Sequence, residues 1–181
     1  MQEHKIVVLG SMGAGKSTLV RAVAAGGVVD TDVANTDPSS AKAGTTVAMD
    51  YADLDLPNGD RMRLYGTPGQ QRFDFVWPIL LAGASGVVVL IDATGPQVSA
   101  EFERYLAVLQ EHAPGVPAVA GLTKTDLDPG NAIEDCHASL HRVGRTLPVM
   151  PLDARDGEQI LMLMDVLMGE IEISELAGTN G

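Results

Sequence analysis

The chain has 181 residues, the size of one domain, and its 45% hydrophobic share supplies a single core. Twelve Lys and Arg against 24 Asp and Glu give a formal net charge of −12. Such a surface repels nucleic-acid backbones and anionic lipid, so bulk binding to either is excluded, and any phosphate site must overcome the average field locally. The single cysteine, Cys136, rules out an internal disulfide, fits a reducing cytoplasm and reads as small core filler on a helix. No apolar segment is long enough to span a bilayer. The start, Met1 to Lys5, lacks a signal-peptide pattern. Gln2 excludes myristoylation, and no cysteine near the end can carry a prenyl group. The expectation is a cytoplasmic protein with no nucleic-acid partner and no direct membrane insertion.

In chain order, Lys5 to Leu9 reads as a short buried strand that meets a glycine-rich loop at Gly10. A helix starts near Lys16, shows an apolar stripe of Leu19, Val20 and Val23, and ends at Gly26 and Gly27. Residues 28–46 read as a long loop, a length uncommon in a compact domain unless functional. Val47 to Leu56 and Arg61 to Tyr65 form a hairpin about Asn58-Gly59. A second loop, Gly66 to Gly69, follows. Gly86 to Asp92 is a continuous apolar run, the mark of a strand buried on both faces. A helix lined by Phe102, Leu106 and Leu109 stops before Pro114, and Pro117 to Leu122 is another buried strand. A helix then runs through Leu140, a last strand spans Leu147 to Leu152, and an amphipathic helix spans Gly157 to Ile173. One domain over 1–174 with a flexible tail over 175–181 is expected. Alternating strands and helices predict an α/β fold: a mostly parallel six-stranded sheet with one antiparallel edge strand and helices on both faces. In such a sheet ligands sit beyond the carboxyl ends of the strands, where every motif below falls.

Gly10-Ser11-Met12-Gly13-Ala14-Gly15-Lys16-Ser17 matches G-x-x-x-x-G-K-[ST], between the strand and the helix that the motif requires. Its amides make an anion nest at a helix N-terminus. Lys16 can reach β- and γ-phosphates, the Ser17 hydroxyl can ligate magnesium, and Thr18 opens the helix beside them. These residues predict a P-loop NTPase fold and a purine nucleoside triphosphate as ligand. The loop also resembles that of small-molecule kinases of the shikimate kinase type, and Asp30-Thr31-Asp32 stands where those carry Asp-x-Asp. The glycine-rich substrate strand end and basic lid of such kinases are absent from the sequence.

Gly66-Thr67-Pro68-Gly69-Gln70-Gln71-Arg72-Phe73 resembles the second switch of Ras-like GTPases, Thr123-Lys124-Thr125-Asp126 their guanine-reading motif, and Asp153-Ala154-Arg155 their last nucleotide-contacting turn. In order and spacing the chain resembles a prokaryotic Ras-like small GTPase of the MglA-related group, most of all the actinobacterial GTP-binding proteins encoded beside roadblock-domain proteins. The resemblance implies GTP/GDP with Mg2+ and a switch assisted by protein regulators or effectors, a roadblock-domain protein among the candidates. It implies that the Gly69 N–H contacts the γ-phosphate and that Gln70 orients water beside Lys16. Asp126 would read the guanine N1–H and N2 amine, which adenine lacks as a pair. Lys124 would lay its stem on the base, and Ala154 would donate its N–H to O6. Thr46, with Thr45 as the competing choice, would join Ser17 at the metal.

Several positions depart from that pattern. Gly66 stands where the family often has an aspartate acting on magnesium through water, leaving Asp92 or Asp37 as other acids to consider. Met12 stands at a glycine position beside the reaction centre, which implies slow unaided hydrolysis. Thr123 replaces asparagine and Arg155 replaces lysine. Arg72 reads either as a charge stabiliser in cis or as a surface residue of the switch. Three functions stay open: a GTPase switch, a nucleotide-dependent interaction module with negligible turnover, and a small-molecule kinase.

Overall fold

The computed structural model describes residues 1–26, 49–128 and 130–179. The strands are β1 (Glu3–Gly10), β2 (Asp50–Asp55), β3 (Arg61–Gly66), β4 (Gly86–Asp92), β5 (Ala118–Thr123) and β6 (Val149–Leu152). The α-helices are α1 (Lys16–Gly26), α2 (Trp77–Leu81), α3 (Val98–His112), α4 (Ala132–Val143) and α5 (Gly157–Thr179). The six strands form one sheet in the order β2-β3-β1-β4-β5-β6. All neighbours are parallel except β2 and β3, so β2 is the antiparallel edge expected from the hairpin. The long loop read over 28–46, with Asp30, Asp32, Asp37, Thr45 and Thr46, lies outside the described residues.

The central strands are apolar throughout because helices cover both faces. Successive side chains alternate between two cores. Val7 and Leu9 of β1 and Val87, Val89 and Ile91 of β4 pack with Phe102, Tyr105 and Leu109 of α3 and Cys136 and Leu140 of α4. Ile6 and Val8, with Val88 and Leu90, pack instead with Leu19, Val20 and Val23 of α1 and Ile160, Leu163, Leu167 and Ile171 of α5. The outer strand β2 puts only Ala52 and Leu54 into that second core. Its other residues reach solvent and ion pairs, as Asp55 with Arg61 and Asp53 with Arg63 across the ladder.

Two segments differ from the sequence reading. Residues after the second loop, unassigned from sequence, form a 3-10 turn over Gln71–Val76 running into α2. Trp77 and Leu81 are buried there, and the Arg104 guanidinium lies 5.1 Å from the Trp77 ring and pairs with Asp74. This anchors the segment to α3, by tertiary contacts that local patterning does not reveal. The last helix runs to Thr179 rather than Ile173, so residues 175–179, read as flexible tail, are helical. Nor is α5 amphipathic in the simple sense, for Leu161, Met162 and Ile173 are exposed on it. Among the described residues no helix is long and apolar enough to cross a membrane.

Cys136 is fully buried on α4, and burial pushes its thiol up to about 12. The native protein at pH 8 should therefore resist iodoacetamide, whereas the denatured chain should alkylate at the rate of an ordinary cysteine. Rapid labelling of the native protein, followed by mass spectrometry, would contradict the seating of α4.

Candidate functional site

The carboxyl ends of β1, β3, β5 and β6 open onto one groove with two adjoining lobes. One lobe, of about 500 Å3, is lined by Met12, Lys16, Ser17, Asp50, Gly69 and Gln70 among others. The other, of about 600 Å3, is lined by Ala14, Thr123, Lys124, Asp126 and the Asp153–Arg155 turn. Gly13, Gly15 and Thr18 border both. Volumes of this size suit small-molecule ligands. Every predicted site residue within the described chain lines one lobe or both, and Thr46 lies outside it.

The loop after β1 takes its shape from positive φ at Gly13 (83°) and Gly15 (100°), a region that side chains disfavour. Lys16, 7% exposed, donates from Nζ to the Ser11 carbonyl at 2.6 Å. Burial lowers its pKa to about 8, against the charges of Glu101 and Asp50, which raise it. A buried ammonium at the mouth of a phosphate nest is favourable only with anions to face.

The second loop closes over this lysine. Thr67 is buried and fixes the loop to β1, its amide and its hydroxyl both donating to the Val8 carbonyl, at 3.0 and 2.8 Å. Gly69 then lies against the first loop so closely that a Cβ there would fall 2.6 Å from the Met12 nitrogen and 2.7 Å from Lys16 Nζ. Only glycine fits. Gln70 follows, exposed and extended (φ −84°, ψ 133°), and Met12 is 71% exposed at the same mouth. Arg72 lines this lobe with its guanidinium 4.6 Å from the Phe73 ring, so its charge rests on an aromatic face.

Asp50 is the residue that sequence reasoning missed. It is paired directly opposite Gly66 across the β2–β3 ladder, and the Ser17 hydroxyl donates to its Oδ2. A Cβ on Gly66 would stand 3.2 Å from the Asp50 Cβ. A carboxylate thus stands on the neighbouring strand directly beside position 66. A signal was present: Asp50 shares its face with Ala52 and Leu54, so a carboxylate sits where the period-2 pattern puts core residues. Of the two acids considered from sequence, Asp92 does not take this place. Asp37 lies outside the described residues. Asp92 accepts from Lys124 Nζ and from the Thr94 amide (2.9 Å) and hydroxyl (2.6 Å). Burial raises the Asp92 pKa, but these hydrogen bonds outweigh it and hold the carboxyl below its ordinary value.

At the other lobe, Lys124 is the single non-glycine residue with positive φ among the described residues (58°), which turns the chain sharply after β5 and leaves Asp126 exposed. Thr123 is buried, and its hydroxyl donates to the Ala14 carbonyl at 3.0 Å, so it ties β5 to the phosphate loop rather than facing a ligand. Ala154 is buried. The Asp153 carboxylate is engaged by the Arg155 amide, Nε and Nη2, which pull its pKa down to about 2. Its oxygens are therefore committed to the turn. Asp126 is the acid that this lobe offers to a ligand.

A family model described as conserved hypothetical ATP binding protein matches residues 28–142. The chain belongs to that family. The match takes in Gly69, Gln70 and the Thr123 to Asp126 run but not the phosphate loop. An uncharacterized protein of Methanocaldococcus jannaschii is 29% identical, over 69% of this chain and 72% of its own. The Ras-related protein RABD2a of Arabidopsis thaliana is 24% identical over 97% of this chain and 85% of its own. The Ras-related protein Rab5 of Nicotiana tabacum is 27% identical over 86% and 74%. Among solved structures, a bacterial selenocysteine-specific elongation factor EF-Sec superposes with a TM-score of 0.70 at 24% identity. That match covers 95% of this chain and 29% of the longer protein, and it shows the fold, a P-loop NTPase sheet with its helices. The chain is a nucleotide-binding P-loop protein related to the Ras-like group.

Lys16 supports a test by pH. Phosphate pairs with the ammonium form, and the free protein loses that proton as pH rises through about 8. Nucleotide affinity should be flat below pH 7.5 and fall above pH 8, approaching tenfold per pH unit. Titration calorimetry should show proton uptake on binding at pH 8.5. An affinity unchanged to pH 9 would contradict the assignment.

Proposed function

We propose that this protein is a Ras-like GTPase switch: it binds GTP and GDP and hydrolyses GTP slowly until a protein partner assists. The observation that carries the reading is the seat of Gly69 on the Met12 nitrogen and Lys16 Nζ. A loop packed there meets a γ-phosphate directly, so its position depends on whether that group is present. A kinase that merely holds ATP has no need of such a contact. The family description names ATP, whereas Asp126 at the base lobe favours the paired donors of guanine. Competition between GTP and ATP for the purified protein decides the base. A preference for ATP would overturn the guanine reading and return the kinase to first place.

The residues at the phosphate lobe fit a magnesium ion. Asp50 accepts the Ser17 proton, which leaves the Ser17 oxygen lone pairs for a hard cation. Ser17 would hold the ion with Thr46, and Asp50 would orient Ser17 from behind. When bound, the ion neutralises charge on the phosphates. Lys16 and the loop amides supply the rest of the electrostatic stabilisation, and Gln70 orients the attacking water. Met12 at the mouth of this lobe would crowd the space in which that glutamine and an incoming arginine act, and so would slow unaided turnover. An activating or effector protein, a roadblock-domain partner included, would read the loops around Gly69 and Thr46.

Gln70→Ala should bind GTP as the parent does and hydrolyse it at least tenfold more slowly in single-turnover assays. An unchanged rate would remove the water-positioning role. Asp50→Ala should weaken magnesium-dependent nucleotide affinity by 10- to 100-fold, the usual cost of losing a group that orients a metal ligand. Gly66→Asp alone should do harm, because its Cβ crowds Asp50. The double variant Asp50→Ala/Gly66→Asp should recover most of the loss. If it binds magnesium no better than Asp50→Ala, the two positions are not alternatives for one carboxylate.

A further inference from the structure

At the pole opposite the nucleotide groove, the amino-terminal ends of β5 and β6, the turn at Gly115–Pro117, the segment Val143–Leu147 and the last third of α5 enclose a cleft of about 420 Å3. No residue of the nucleotide groove lines it. Part of its wall is apolar and open to solvent: Val143 is 47% exposed and Ile173 is 64% exposed. Ile173 belongs to the outer face of α5, where Met162 is also exposed at 57%. The solvent side of that helix thus sets exposed apolar residues among its acids, and such apolar residues suit contact with another surface.

The cleft also holds a cation with no counter-charge among the described residues. Arg61, Arg63, Arg104, Arg142 and Arg155 each pair with a carboxylate. Arg145 is half-buried in the cleft wall, and its guanidinium makes no hydrogen bond or ion pair with any described group. Glu170 lines the same cleft without pairing with it. Burial lowers the Arg145 pKa, with no opposing contribution from a described carboxylate. In a chain with twice as many acids as bases, this half-buried guanidinium is without a carboxylate partner among the described residues. The fork of a guanidinium suits a carboxylate above other ligands.

We propose that this cleft docks a short segment of a partner protein in which a side-chain carboxylate stands beside apolar residues. The carboxylate pairs with Arg145, and the apolar residues cover Val143 and Ile173. A second copy of the chain fits poorly, because α5 carries Glu158, Asp165, Glu170, Glu172 and Glu175 and no Lys or Arg, so a two-fold contact sets acid against acid.

The test is an NMR titration of the full-length, isotope-labelled protein with acetyl-Leu-Leu-Glu-Leu-amide and with its Gln counterpart. The proposal expects shifts at Arg145, Ile173 and Ser174 and none in the nucleotide groove, with at least tenfold weaker binding of the Gln peptide. Arg145→Gln should erase the difference between the peptides. Arg145→Lys, should the first variant fail to fold, should reduce it, and Ile173→Gln should weaken both peptides alike. The idea is overturned if neither peptide shifts these resonances, if both bind equally to the parent, or if shifts map to the nucleotide groove. A concentration-dependent dimer in sedimentation that Ile173→Gln abolishes would assign the face to self-association and also overturn it.

Discussion

A buried ammonium in a strongly acidic protein is the constraint around which this molecule is arranged. Lys16 is held out of water by the loop that carries it and by the second loop that rests on it. The surrounding field, at −12, works against any anion that approaches. The fold answers by concentrating positive potential: loop amides, a helix N-terminus and one desolvated lysine converge at the ends of the central strands. Two carboxylates, Asp50 and Glu101, remain near enough to support the charge when no phosphate does.

On the proposed reading, the relation between Asp50 and Gly66 is one by which a sheet would keep a function while its residues change. What the site requires is a carboxylate behind the Ser17 hydroxyl. Two positions meet that requirement, because an antiparallel ladder sets residue 50 beside residue 66 with their side chains on one face. Both cannot be filled at ordinary packing distance. A glycine at one and an acid at the other is the sterically consistent solution. Motif comparison along a single strand reads this as a loss, whereas the ladder reads it as a move.

The parts legible in sequence were those whose physics is local. The phosphate loop declares itself through glycines and a Lys-Ser pair, the central strands through unbroken apolar runs such as Gly86 to Ile91, and the hairpin through Asn58-Gly59. What stayed hidden depended on contacts between distant segments. Asp50 gained meaning only once β2 was registered against β3. The turn and helix from Gln71 to Leu81 are held by Trp77 and by the Arg104–Asp74 pair, both reaching α3. The length of α5 was underestimated because its last turns bury nothing that a stripe of core residues would reveal. The role of Thr123 was half visible: its place after β5 was clear, but not that its hydroxyl would turn inward.

That inward turn has a consequence for how the two ends of a ligand communicate. The Thr123 hydroxyl joins the strand leading to the base lobe to the Ala14 carbonyl, within the loop that surrounds the phosphates. On the proposed reading, a base settling against Asp126 and a phosphate settling on Lys16 would order opposite ends of one strut. Each contact made lowers the entropy left to lose at the other, and by linkage the effect is reciprocal. On the proposed reading the groove would act as a single cooperative unit, in which recognition of the base is felt as stiffness beneath the phosphates.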